Sequence, residues 1–187
     1  MRTTPLPSSL HGIEEVGDEE IAAVTDVLRR KKMFRFLLTD EDSYTARFET
    51  AFKEYMGSRY ALSVTGGTTA LVTALVGLGV GTGDEVIVPA YTYIATAAAV
   101  LTVGAIPVIA EVDDTLTLDP NDFERKITPL TRCVIPVHMR GWPAQMDEIM
   151  DIARRYDIAV LEDVAQAVGG EYRGRKLGSI GQAGVFS

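Results

Sequence analysis

Two sets of apolar residues in the first sixty positions repeat at the three- and four-residue spacing of a helix face. They are Ile21, Val24, Val27 and Leu28 in the first set, and Tyr44, Phe48, Phe52 and Met56 in the second. The acidic run 18–20 favours the start of the first helix, because negative charge stabilises a helix N-terminus, and Gly57 favours the end of the second. We therefore predict an N-terminal helical segment over residues 1–58, and we interpret both apolar faces as packing surfaces.

From position 59 onward, short apolar runs alternate with stretches of helical character. The runs that predict strands lie at 61–64, 85–89, 107–112, 133–138, 158–163 and 184–187. Between them, Asp119 and Pro120 are typical of the N-cap and first position of a helix, which we extend through Ile127. Strands rich in Val and Ile that are separated by helices are typical of a parallel sheet covered on both faces. Residues 59–187 are therefore predicted to form an α/β domain.

Composition and charge narrow the class of protein. The chain of 187 residues is 47% apolar and 24% charged, with a net charge of −8, which is typical of a globular protein. The acidic balance argues against partners such as nucleic acid or an anionic membrane surface. The most apolar stretch, 94–110, contains Gly104 and Pro107 and is too broken to span a bilayer. Residues 1–10 lack the apolar core of a secretory signal, and we expect a cytoplasmic protein.

Residue counts argue against a disulfide framework and a zinc site. Cys133 is the single cysteine and lies inside an apolar run, so we predict a buried, inert thiol. With only His11 and His138 beside it, too few ligands remain for zinc.

Two of the predicted strand ends carry residues that can bind a ligand. Residues 66–69, Gly-Gly-Thr-Thr, follow the first predicted strand. Glycines allow the backbone to come close to a ligand, and the N–H groups of a helix N-terminus attract anions. This turn is either a phosphate site or a plain turn capped by Thr68. Glu162 and Asp163 end the strand 158–163, at the edge where open α/β sheets bind ligands, although Asp163 is alternatively an N-cap.

Two nucleotide-binding motifs are excluded. The sequence contains no G-x-x-x-x-G-K-[ST] loop, which the nucleotidase interpretation of this acidic strand end requires. The glycine-rich residues 79–84 precede a strand instead of following one, so we interpret them as a turn and not as a dinucleotide fingerprint. From the residues alone, we predict an α/β protein, with a phosphorylated small molecule as its candidate ligand and a plain turn at 66–69 as the alternative.

Seven blocks carry a family resemblance. They are GGTTAL (66–71), GDEVIVPAYTYIAT (83–96), GAIPVIAEVD (104–113), ITPLTRCVIPVH (127–138), MDEI (146–149), VLEDVAQAVGGEYRGRKLGSIG (160–181) and GVFS (184–187). In this order they resemble the DegT/DnrJ/EryC1/StrS aminotransferases, which convert keto-sugars and cyclitol ketones to amines with pyridoxal 5′-phosphate (PLP) and an amino-acid donor, usually glutamate or glutamine. The resemblance runs from about Gly12 to the last residue. It implies that 59–187 is the large, PLP-binding domain of a fold-type-I transferase, with a mostly parallel sheet and helices on both faces.

The resemblance implies three contacts to the PLP phosphate. Gly67 and Thr68 match the family's S-G-T turn, and Ser187 matches a serine that adds a further phosphate contact. This chain has Gly66 where the family usually has serine, which removes a hydroxyl there but leaves the backbone donors.

Three further contacts to the PLP ring are implied. Tyr93 matches an aromatic residue that stacks on the pyridine, and Gln166 matches a residue near the phenolic oxygen. Asp163 matches the carboxylate that pairs with the pyridine nitrogen, whose protonation makes the ring an electron sink; opposite this cation, the pKa of Asp163 should be lowered. His138, which the family often shares, is given a structural or pocket-wall role.

In the family, the Schiff-base lysine lies five residues beyond the serine that matches Ser187, at position 192, so no catalytic residue is expected within the chain. We expect a truncated piece of a longer protein, without its C-terminal small domain and without a later antiparallel strand of the sheet. The loss of that strand would leave two others without a partner and the piece poorly stable. The leading hypothesis is a homodimeric sugar aminotransferase. The alternatives are a dehydratase with histidine at position 192 and a non-catalytic protein that keeps the PLP pocket.

Overall fold

The computed structural model describes residues 16–37 and 42–187. The helices are α1 Asp18–Arg30, α2 Tyr44–Met56, α3 Gly67–Gly77, α4 Ala95–Thr102, α5 Pro120–Arg125 and α6 Met146–Tyr156, with 3-10 turns at Arg35–Leu37 and Met139–Gly141. The strands are β1 Glu85–Pro89, β2 Ile106–Ala110, β3 Thr131–Val134, β4 Ala159–Asp163, β5 Glu171–Tyr172, β6 Arg175–Lys176 and β7 Ala183–Val185.

The chain divides into two compact units, residues 1–51 and 52–187. This division falls within α2, whereas the sequence pattern places a boundary after residue 58. The assignment of 1–58 and 59–187 as functional domains stays a prediction.

Helix α1 forms where the apolar spacing predicts it. The Glu20 carboxylate accepts a hydrogen bond from the Gly17 N–H (2.7 Å) at its start, and the basic Arg29 and Arg30 occupy its last turn. No residue of α1 is buried by the described part of the chain, and Ile21 is 61% exposed. The helix is confirmed. On its predicted apolar face, Val27 is half-buried, whereas Ile21, Val24 and Leu28 are exposed among the described residues, so its interpretation as a packing face stays a prediction.

Within residues 52–187, five parallel strands form a sheet in the order β2-β1-β3-β4-β7. The strands β5 and β6 form a separate antiparallel hairpin. Strand side chains alternate between the faces, so that Val86 and Val88 pack with α3 and α4 while Ile87 packs with α5 and α6. The predicted α/β class and parallel sheet are confirmed.

The strand predicted at 61–64 is wrong. These residues are irregular, and Leu62 is 71% exposed. A strand needs a ladder of hydrogen bonds with a neighbour, and none of the described strands pairs with this segment. Its apolar character predicts burial but supplies no partner.

The other predicted elements are confirmed with shifted ends. Strand β3 ends at Val134 instead of continuing to His138, because Pro136 has no N–H to donate to the ladder. Helix α5 begins as predicted, with the Asp119 side chain accepting from the Asn121 N–H (2.8 Å), but it ends at Arg125. Cys133 is buried, and burial raises the pKa of its thiol to about 12; the prediction of a buried thiol is confirmed. Among the described helices, none has the length and apolar character needed to cross a membrane.

Candidate active site

A pocket opens at the carboxyl ends of the parallel strands, the edge at which α/β sheets bind ligands. Its lining includes all six residues singled out from the sequence. These are Gly67, Thr68, Tyr93, Asp163, Gln166 and Ser187. The structure therefore brings together side chains that the sequence separates by up to 120 positions.

The N-terminus of α3 forms one wall of the pocket. Gly66 is the N-cap, with an extended backbone (φ 170°), and its carbonyl accepts the Ala70 N–H (2.9 Å). Gly67 and Thr68 occupy the first two helical positions, so their N–H groups have no partner within the helix. The alternative in which Thr68 caps a plain turn is wrong, because Thr68 lies inside the helix. An 11-residue helix thus directs free donors and its positive dipole end into the pocket.

Gly67 allows the residues that follow β7 to approach this helix. A Cβ atom at Gly67 would lie 2.9 Å from Ser187 Cβ and 3.1 Å from Ser187 Oγ. At Gly66, by contrast, a Cβ atom would meet nothing within 4 Å. The close approach of Ser187 therefore requires glycine at position 67 but not at position 66.

Asp163 lies on the pocket floor, at the end of β4, and is 6% exposed. Its Oδ2 accepts from the Thr96 hydroxyl (3.1 Å) and its Oδ1 from the Ala165 N–H (3.2 Å). Burial raises the pKa of the Asp163 carboxyl, and this effect outweighs the two hydrogen bonds, which lower it.

One expectation for Asp163 is corrected and the other stays a prediction. Burial raises the pKa of this carboxyl in the ligand-free chain, whereas the lowered pKa is expected opposite a bound pyridinium cation. Its bond to the Ala165 N–H has the form of a local turn contact. No helix begins there, so Asp163 is not an N-cap.

Sequence reasoning missed a chain of hydroxyls that holds Asp163. Since the Thr96 hydroxyl donates its proton to Asp163, its oxygen accepts from the hydroxyl of Thr92 (2.8 Å). Thr96 lies in the first turn of α4 and Thr92 precedes the helix; their four-residue spacing is the available signal. That spacing does not reveal the carboxylate, which lies 67 positions away along the chain.

Tyr93 and Gln166 lie at the more open side of the pocket. The Tyr93 ring is 68% exposed and so offers an aromatic face to a ligand. The Gln166 Oε1 accepts the Arg140 N–H at 3.1 Å. His138 is fully buried and lies behind the lining. Across the described residues, no cluster of three or more metal-ligating side chains is present.

A model of the DegT/DnrJ/EryC1/StrS aminotransferase family matches residues 14–187. The chain belongs to this family. It is 48% identical over 145 residues to GDP-perosamine synthase of Caulobacter vibrioides, covering 77% of this chain and 39% of the relative. It is 42% identical over 173 residues to L-glutamine:scyllo-inosose aminotransferase of Streptomyces griseus, covering 91% of this chain and 41% of the relative.

Solved structures agree on the fold. An aminotransferase from Psychrobacter cryohalolentis superposes with a TM-score of 0.86 at 38% identity, over 98% of this chain and 44% of that chain. GDP-4-keto-6-deoxy-D-mannose-3-dehydratase from E. coli with bound hydrated PLP superposes with a TM-score of 0.82 at 29% identity, over 98% of this chain and 46% of that one. The chain spans about two fifths of the length of the curated relatives, 39% and 41%.

Proposed function

We propose that this chain supplies the PLP-binding part of an aminotransferase that moves an amino group from glutamate or glutamine to a keto-sugar or a cyclitol ketone. The observation that carries the proposal is one pocket with two opposite electrostatic ends. The free N–H groups of α3 attract an anion at one end. At the other, burial raises the pKa of Asp163, so that a cation bound there would stabilise its ionised form. PLP combines a phosphate with a protonated pyridine nitrogen and so matches both ends.

The residues fit PLP in shape as well as in charge. Gly67 carries no Cβ, so Ser187 can bring its hydroxyl beside the α3 N-terminus, where Thr68 adds a second hydroxyl. The exposed Tyr93 ring offers a flat apolar surface in the same lining. We therefore assign the phosphate to Gly67, Thr68 and Ser187, and the ring to Tyr93, Asp163 and Gln166.

PLP, when bound, supplies a ring that withdraws electrons from the substrate carbon that loses its proton. Asp163 would hold the proton on the ring nitrogen, and the Thr92–Thr96 hydroxyls orient its carboxylate for that contact. Gln166 would bind the ring's oxygen substituent. The α3 N–H groups and the Ser187 hydroxyl would fix the phosphate, which sets the position of the ring over the substrate.

A homodimer and a cytoplasmic location also belong to this proposal. Large apolar side chains are exposed among the described residues, including Tyr60, Leu62 and Ile94, and such side chains suit a subunit interface. The single free thiol, Cys133, is in keeping with a reducing compartment.

The proposed function can be tested with the full-length protein that contains this chain. Incubated with PLP and then treated with borohydride, it is expected to gain the mass of one reduced PLP on a lysine beyond Ser187. With glutamate or glutamine as donor, we expect mass spectrometry to show an amino group in place of the ketone of scyllo-inosose or GDP-4-keto-6-deoxy-D-mannose. Loss of water from the sugar without gain of nitrogen would instead indicate a dehydratase. PLP binding without either product would indicate a non-catalytic protein.

Gly67→Ala is expected to weaken PLP binding by the full-length protein about tenfold, since displacing Ser187 costs on the order of 1–2 kcal/mol. Fluorescence titration of the ligand-free protein with PLP measures this change. Gly66→Ser is the matched control, because its backbone is extended and its Cβ position is open. We expect the control to bind PLP at least as well as the parent. Equal losses in both variants would contradict the assigned role of Gly67.

A further inference from the structure

A fully buried carboxylate that the proposed chemistry does not use lies directly behind the pocket. Glu162 Oε1 accepts the N–H groups of Ile180 (2.7 Å) and Gly181 (2.8 Å), and Oε2 accepts the N–H of Gly178 (2.8 Å). His138 Nε2 lies 3.1 Å from the same Oε2. Burial by itself raises the pKa of Glu162, but these hydrogen bonds outweigh it and lower the pKa below its usual value. Four donors thus satisfy an ionised carboxylate.

The tautomer of His138 follows from its two partners. The Ala144 N–H donates to Nδ1 at 3.1 Å, so Nδ1 carries no proton and Nε2 must carry one. The Nε2–H therefore donates to Glu162. An imidazole held at both nitrogens fixes the segment from His138 to Ala144 against the end of β4.

This fixed segment contains the 3-10 turn Met139–Gly141, in which Arg140 adopts a left-handed backbone (φ 55°). Such a conformation is unfavourable for a side chain other than glycine and persists where its surroundings impose it. It directs the Arg140 N–H onto Gln166 Oε1 at 3.1 Å. A backbone N–H requires an acceptor, so the orientation of the Gln166 amide is settled, and its NH₂ group is the one left for a ligand.

We propose that Glu162, His138 and the Arg140 N–H form a positioning relay that turns the Gln166 amide so that it donates a hydrogen bond to an anionic oxygen of the bound cofactor ring. The inference rests on the proposed function, in which Gln166 faces that oxygen. None of the three relay residues lines the pocket. They act through Gln166, whose donated hydrogen bond stabilises the deprotonated ring oxygen.

The relay is tested by the pH midpoint of the cofactor's absorption band in the full-length, PLP-loaded protein. Gln166→Ala removes the donor and is expected to raise this midpoint by about one pH unit, a tenfold change in proton affinity, which is the scale of one hydrogen bond to a charged group. Glu162→Gln is expected to raise it in the same direction. The double variant should shift no further than Gln166→Ala alone, because both changes remove the same interaction.

Asp122→Asn is the matched control. Asp122 is another buried carboxylate, which accepts the Glu111 N–H (2.6 Å) and pairs with Arg125 (2.8 Å), but it does not line the pocket. It should lower stability and leave the midpoint unchanged. If Glu162→Gln does not fold, His138→Leu cuts the relay and leaves Glu162 its three backbone donors, while His138→Gln, with an N–H donor, should restore most of the parent midpoint.

Three outcomes overturn the relay. They are an unchanged midpoint in Glu162→Gln or His138→Leu, additive shifts in the double variant, and an equal shift in Asp122→Asn. Failure of the proposed function is distinct, because the full-length protein would then bind no PLP and show no band to titrate.

Discussion

Replacing Asp163 with asparagine is expected to lower the proposed aminotransferase activity of the full-length protein by a factor of about 10²–10³, the scale observed when one preorganised electrostatic contact is removed from an active site. Asparagine keeps nearly the same shape and one oxygen, but it brings no negative charge to hold a proton on the pyridine nitrogen. The ring then withdraws electrons less effectively. Steady-state assays at saturating PLP measure the change as a fall in kcat.

The same substitution should make the ligand-free protein more stable. Burial raises the pKa of Asp163 in the folded chain, so ionisation of this carboxyl favours the unfolded state. Its contribution to stability is fully present below the pKa of the unfolded state, about 3.9, and is lost as the pH rises through the folded value. At neutral pH, Asp163→Asn should therefore melt at a higher temperature than the parent when PLP is absent, and gain less stability when PLP is added.

Asp122→Asn is expected to change the melting temperature in the opposite direction. The hydrogen bond from the Glu111 N–H is the largest cause of the lowered pKa of Asp122, so this carboxylate stabilises the fold above its unfolded pKa, and that stability is lost as the pH falls through the folded pKa. Its replacement should lower the melting temperature at neutral pH with or without PLP. If Asp163→Asn also destabilises the ligand-free protein, the carboxylate has a partner in the fold that outweighs its burial. The proposed cation at this end of the pocket would then lose its support.

Local patterns were sufficient for most of the fold. The Val- and Ile-rich runs predict four of the five parallel strands to within a few residues of their ends, and the strand begun by 184–187 is the fifth. These patterns report burial on a sheet with two covered faces. The segment 61–64 has the same character but is not a strand, because pairing depends on a neighbour that a local pattern does not specify.

The candidate site likewise combines features that local motifs predict with contacts that they do not. The glycines of 66–67 and the acidic end of β4 are visible as motifs, because close approach and strand-end carboxylates have local signatures. The contacts of Thr96 with Asp163 and of His138 with Glu162 join elements distant in the sequence, and only the fold brings them together. The adjacent pair Glu162 and Asp163 illustrates the difference. Strand alternation sends one carboxylate into the pocket and the other behind it.

Glycine is also required where β7 crosses the loop before it, at Gly184. Of the substitutions considered, Gly184→Ala is expected to lower the stability of the protein most. A Cβ atom at Gly184 would lie 2.5 Å from Gly178 Cα and 2.8 Å from the Gly178 carbonyl carbon. Both are backbone atoms, so no side-chain rotation relieves the contact. We expect the free energy of unfolding of the full-length protein to fall by about 3 kcal/mol, measured by thermal or denaturant unfolding.

Gly77→Ala is the control for this prediction. Gly77 ends α3, and a Cβ atom there would meet nothing within 4 Å, so alanine should stabilise the helix by up to about 1 kcal/mol. The two substitutions add the same methyl group and should change stability in opposite directions.

Because β7 pairs with β4 at Gly184 and Glu162 and leads into Ser187, a shift at Gly184 should also weaken PLP binding. An unfolding free energy for Gly184→Ala within about 0.5 kcal/mol of the parent, the usual range of a neutral surface change, would show that the crossing relaxes without cost. In that case β7 would not be a rigid support for the proposed phosphate site.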